Sequence, residues 1–145
     1  MMIKILVEGG MEVLTDRIRT PDTDNPKGYW EFERVKKLPK GDITWLKDAE
    51  GKAIKIISEL LKYLPDTHKF KVLFMCRNIN EIMASQNKML QNRAIHESHT
   101  SNGYLAEFLN KHLNQIYTWM NDRSHVEYIN VNYNKMFDDP LAILY

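Results

Sequence analysis

The run Lys71-Val-Leu-Phe-Met-Cys76, closed by Arg77 and followed by Asn78 and Glu81, constrains the fold of this 145-residue chain more than any other segment. Val72 to Met75 is short, apolar and free of turn residues, which is the pattern of a strand buried on both faces. Asn78 with Glu81 three residues later is an asparagine form of the capping box, so a helix is expected to begin directly after the strand. First-turn amides of such a helix carry partial positive charge, and Arg77 adds a full charge beside them. Ser85 offers a hydroxyl further along the same helix. Arg77 and Ser85 are therefore the candidate ligands for a phosphate group.

The remaining segments predict an α/β chain. Helices and strands alternate along it, which implies a parallel sheet flanked by helices. Strands are expected at Ala53 to Ile57, Lys71 to Cys76 and Val126 to Val131, with Glu12 to Leu14 as a short fourth. Between Gly103 and Met120, the residues Leu105, Phe108, Leu109, Leu113, Ile116, Tyr117 and Met120 recur at spacings of three and four and mark an amphipathic helix. Met1 to Glu8 is apolar on nearly every side, and Gly9-Gly10 closes it as a helix C-terminus would. Lys55, set among Ile54, Ile56 and Ile57, must either emerge at the carboxyl edge of the sheet or find an anionic partner.

Composition narrows the partners. A net charge of +1 argues against broad attraction to nucleic acid or to a membrane surface. The single cysteine, Cys76, has no internal disulfide partner and fits a buried thiol in a reducing compartment. No run is long enough to span a bilayer and no signal peptide is evident, so a single cytoplasmic domain over residues 1–145 is expected. Metal templates fail on spacing. Asp22, Asp24 and Glu33 imitate a calcium loop, but Pro26 takes the fifth place and Gly28 the seventh, one too late. His96 and His99 lack a third ligand, and no metal is expected.

The string Arg77-Asn78-Ile-Asn-Glu81-Ile-Met-Ala-Ser85 after an apolar strand resembles the 3′-phosphate-binding segment of sulfotransferases that use 3′-phosphoadenosine-5′-phosphosulfate (PAPS). Gly9 to Asp16, Asp24 to Glu33 and Gly51 to Ser58 are similar in order and spacing to a bacterial branch of that family. The resemblance runs from Met1 to about Pro140 and is specific at Asp24 to Glu33 and at Arg77 to Ser85. It implies a P-loop NTPase-like sulfotransferase fold in which Arg77 and Ser85 hold the 3′-phosphate of PAPS. It further implies transfer of a sulfuryl group to a hydroxyl or amine on a small-molecule or carbohydrate acceptor. The acceptor must lose a proton as it attacks sulfur, so a base must stand near it. The family's histidine position falls on Ile57, which leaves Glu31 or Glu33 as the candidate base and Lys55 as a candidate for the sulfuryl or acceptor side. The alternative for both glutamates is that they are surface carboxylates flanking the buried aromatics Trp30 and Phe32.

One departure from the family pattern weighs against catalysis. A sulfotransferase of this type carries a Gly-x-x-Arg-Ser-Gly-Thr-like loop that cradles the 5′-phosphosulfate, and no such loop occurs in the sequence. The chain therefore reads as a sulfotransferase-like domain truncated at both ends, with little activity expected from it alone. Two alternatives stand beside catalysis: a non-catalytic nucleotide-binding module, and a structural fragment that associates through an exposed sheet edge. Oligomeric state is open between a monomer and a homo-oligomer.

Overall fold

The computed structural model describes residues 2–20, 28–92 and 102–138 and divides into two compact units, Met1–Pro65 and Asp66–Tyr145. It combines helices with a two-stranded parallel sheet, which places the chain in the general α/β class. The templates considered at Asp22 and Asp24 and at His96 and His99 lie outside the described residues.

The second unit is built on β1 (Phe70–Cys76) and β2 (Val126–Asn132). They pair in parallel with Phe70 opposite Val126 and Cys76 opposite Asn132. Two helices lie in the crossover, α3 (Ile79–Asn92) and α4 (Asn102–Asn121), as parallel strands require a long connection. The period-two register puts Phe70, Val72, Phe74 and Cys76 on one face with Val126, Tyr128 and Asn130. Tyr117 of α4 packs on that face, 5.3 Å from the Phe74 ring and 6.0 Å from the Tyr128 ring. Phe74, Met83, Ile116, Met120, Val126, Val131 and Met136 are buried and form this unit's apolar core. The predicted stripe of α4 thus holds at Ile116 and Met120, but Phe108 stands 59% exposed. On the opposite sheet face Val131 is buried but Met75 and Ile129 are exposed, so that face is covered only in part and not along the whole strand as the apolar run predicts.

The first unit has little regular structure. α1 (Met2–Glu8) ends at Gly9-Gly10, where Gly10 takes φ 87°, the left-handed conformation that terminates helices most cheaply at glycine. None of its residues is buried, and Ile5 and Val7 are exposed despite the apolar composition of the segment. Two 3₁₀ helices follow, Glu33–Lys40 and Leu46–Ala49, and then the short α2 (Ser58–Leu61). Gly41, at φ 79°, donates its N–H to the Leu38 carbonyl and closes the first 3₁₀ helix. The core is Val35, Leu38, Trp45, Leu46, Leu60, Leu61 and Leu64. Trp45 is 1% exposed, sets its ring edge-on to Phe32 at 5.5 Å and donates its indole N–H to the Asp42 carbonyl at 2.9 Å.

The strand expected at Ala53 to Ile57 is not formed. Only Ala53 pairs, as an isolated parallel bridge to Val13 with hydrogen bonds to Glu12 and Leu14 on either side. The expected strand at Glu12 to Leu14 shrinks to the same bridge. A strand exists only where a neighbour takes its ladder, and among the described residues the chain beyond Ala53 has none. Ile57 is 60% exposed, so β-branched composition is not supported there by burial.

Candidate functional site

At the carboxyl ends of β1 and β2, the chain turns into α3 on one side and into the short α5 (Lys135–Asp138) on the other. This is the edge at which open parallel sheets receive ligands. Asn78 accepts the Asn80 N–H on its side-chain oxygen at 2.9 Å and so caps α3, while its carbonyl takes the first helical bond from Ile82. Asn132 does the same after β2, its oxygen accepting from Asn134 N–H at 3.0 Å and Lys135 N–H at 3.1 Å. The capping box is only half made, because Glu81 does not reach back to Asn78. One Glu81 oxygen accepts the Arg77 Nε–H at 2.9 Å and the other accepts the Asn134 side-chain amide at 2.8 Å.

Arg77 is thereby held on two sides. Glu81 takes its Nε edge, and the Tyr133 ring lies 4.8 Å beneath the guanidinium carbon. Among the described residues neither terminal nitrogen of Arg77 has a hydrogen-bond partner. Those two nitrogens form the planar fork that matches a phosphate or carboxylate. The Arg77 bond, followed by the Asn134 bond, holds the Glu81 carboxyl below the usual carboxylate range. Ser85 lies on α3 one turn beyond Glu81 and is exposed. Arg77, Glu81 and Ser85 are spaced by four, with Arg77 just ahead of α3 and the other two on it.

Cys76 and Tyr117 lie close to this edge on the helix-packed face. The Tyr117 hydroxyl donates to the Asn130 side-chain oxygen at 2.9 Å and sits 3.4 Å from the Cys76 sulfur. Burial, then the Cys76 contact, pushes the Tyr117 hydroxyl well above its ordinary pKa.

The other predicted residues belong to the first unit. Glu31 and Lys55 do come together: the ammonium is 3.5 Å from a Glu31 oxygen and donates to the Tyr29 carbonyl at 3.1 Å. Arg19 reaches the same Glu31 oxygen at 3.3 Å and stacks 3.3 Å over the Tyr29 ring. Lys55 is thus exposed and has an anionic partner, one of the outcomes its apolar neighbours require. Glu33 instead pairs with Lys36 at 2.6 Å, and its backbone N–H is taken by Asp16 at 2.6 Å. Thr15, Arg17, Arg19, Tyr29, Trp30 and Glu31 line a cleft of ≈ 260 Å³. Arg17 and Trp30 have φ of 56° and 52°, a conformation costly for bulky side chains.

Sequence reasoning did not find Tyr133, Asn134, Asp16 or Arg19. Each meets its partner through tertiary structure, 17 residues away for Asp16 with Glu33 and 53 for Asn134 with Glu81. Comparison with protein-family models finds no matching family, and comparisons with curated proteins and with solved structures likewise find no match.

Proposed function

We propose that the chain is a sulfotransferase-like domain of P-loop-type architecture that binds the 3′-phosphate of PAPS through Arg77 and Ser85. In a protein that also supplies a 5′-phosphosulfate loop, the reaction is transfer of the sulfuryl group to a hydroxyl or amine on a small-molecule or carbohydrate acceptor. The observation that carries the reading is Arg77 itself: it stands at the carboxyl end of a parallel strand, beside a capped helix N-terminus, with its terminal nitrogens directed to no other described group. The Arg77 to Ser85 spacing adds the second ligand.

On the acceptor side the reading assigns proton removal to Glu31 or Glu33 and electrostatic support to Lys55. What supports Glu31 is its contact with Lys55, the other residue of this assignment, whereas Glu33 pairs with Lys36. No metal is required by this chemistry, and the single thiol Cys76 fits a cytoplasmic protein. Because the 145 residues contain no Gly-rich phosphate loop, nucleotide binding without transfer is the second reading for this chain.

Calorimetric titration with adenosine 3′,5′-bisphosphate and with adenosine 5′-phosphate tests the proposal. The expected result is binding that depends on the 3′-phosphate. Equal affinity for the two nucleotides, or binding of neither, overturns it.

A further inference from the structure

We infer that Glu81 is a positioning residue: it fixes the Arg77 guanidinium by its Nε edge so that only the terminal fork is presented to an oxyanion. An arginine has two edges that can grip an anion in a bidentate way, the Nε side and the fork of the two terminal nitrogens. Glu81 occupies the first at 2.9 Å, and Tyr133 covers one face of the plane. The side chain then has one orientation and one open edge.

Glu81 is itself anchored. Its second oxygen is bound by Asn134, whose backbone N–H is bound by Asn132. Asn132 is the register partner of Cys76, the residue before Arg77. The carboxylate therefore ties the turn after β1 to the turn after β2. The same two bonds engage its charge with Arg77 and Asn134, which matters because Glu81 lies between Arg77 and Ser85 in the sequence. For its ligand the inference rests on the phosphate reading given above; the arginine geometry stands apart from it.

The sign of one substitution separates positioning from simple charge. Glu81→Ala removes a negative charge beside Arg77, so charge alone predicts tighter anion binding. Positioning predicts the opposite. Immobilising a long side chain costs the equivalent of roughly two- to tenfold in affinity, and that cost returns to the binding step when Glu81 is gone.

The experiment records the arginine Nε–H region of the ¹⁵N-labelled chain together with titration by adenosine 3′,5′-bisphosphate. In the parent, a slowly exchanging Nε–H signal, assigned to Arg77 by its loss in Arg77→Lys, is expected. In Glu81→Ala that signal should vanish into exchange with water and nucleotide affinity should fall about two- to tenfold. Asn134→Ala, which removes only the outer anchor, should fall between the two. A signal that persists in Glu81→Ala, or tighter binding by that variant, overturns the inference. A protected signal that is lost in Glu81→Ala, in a parent that binds no nucleotide, upholds the positioning role while the nucleotide reading fails.

Discussion

Replacing Asn78 separates the stability of the candidate site from its charge. Its side-chain oxygen accepts the Asn80 N–H at 2.9 Å, satisfying a first-turn amide of α3 that has no intrahelical acceptor. Asn78→Ala removes that acceptor, and loss of such a cap costs about 1 kcal/mol. For a chain of this size that corresponds to a fall in Tm of roughly 2–4 °C, and to a urea midpoint lower by roughly 0.3–1 M. Asn78→Asp keeps the acceptor and adds a negative charge at the positive end of the helix, which contributes about 0.3–1 kcal/mol in the favourable direction. Its stability should equal or exceed the parent's. Yet the same charge stands next to Arg77, so nucleotide binding should weaken in Asn78→Asp, and the loss should shrink as salt is raised. Urea unfolding followed by circular dichroism, with nucleotide titration at low and high salt, reads both effects. If Asn78→Asp unfolds as readily as Asn78→Ala, the oxygen cap is wrong and the reasoning about how α3 begins is refuted.

Two further substitutions probe the packing of each unit. Trp45→Ala empties the most buried large side chain of the first unit and leaves the Asp42 carbonyl without its indole donor; a cost of about 3–5 kcal/mol should lower the thermal midpoint by roughly 6–20 °C, and a shift under about 2 °C would show that Trp45 is not a core residue. Tyr117→Phe removes the hydrogen bond to Asn130 and should cost about 0.5–1.5 kcal/mol at neutral pH. Because the folded chain raises the Tyr117 pKa, the neutral phenol stabilises fully below the unfolded value of about 10, and that contribution is lost as pH climbs above it. The parent should therefore lose stability in alkali more steeply than Tyr117→Phe, and identical alkaline profiles would contradict the raised Tyr117 pKa.

How much of this was legible in the sequence depends on how local the cause is. β1 and the start of α3 are written in adjacent residues, an unbroken apolar run and an asparagine cap, and both form with boundaries close to those expected. β2 and α4 are likewise carried by their own periodicity. Ala53 to Ile57 reads as a strand by composition, but a strand also needs a neighbour, and the one it finds offers a single bridge at Val13. Pro39 inside the first 3₁₀ helix and the left-handed Gly41 after it make that segment opaque to a search for α-helical periodicity. The site divides the same way. Arg77 and Ser85 are visible as a spacing, whereas the Tyr133 face and the Asn134 anchor exist only because β2 lies beside β1. Glu81 shows the limit most clearly: its position three residues after a cap asparagine predicts a capping box, but one of its oxygens goes to Arg77 four residues back and the other to the tertiary partner Asn134.

A double-substitution cycle on the 3′-phosphate increment tests the central claim most directly. The quantity is the difference in binding free energy between adenosine 3′,5′-bisphosphate and adenosine 5′-phosphate, measured for the parent, Arg77→Ala, Ser85→Ala and the double variant. If both side chains hold one phosphate, each single variant loses part of the increment, the losses are non-additive, and affinity for the 5′-phosphate is unchanged throughout. An Arg77→Ala chain that retains the parent's full preference for the 3′-phosphate would contradict the account.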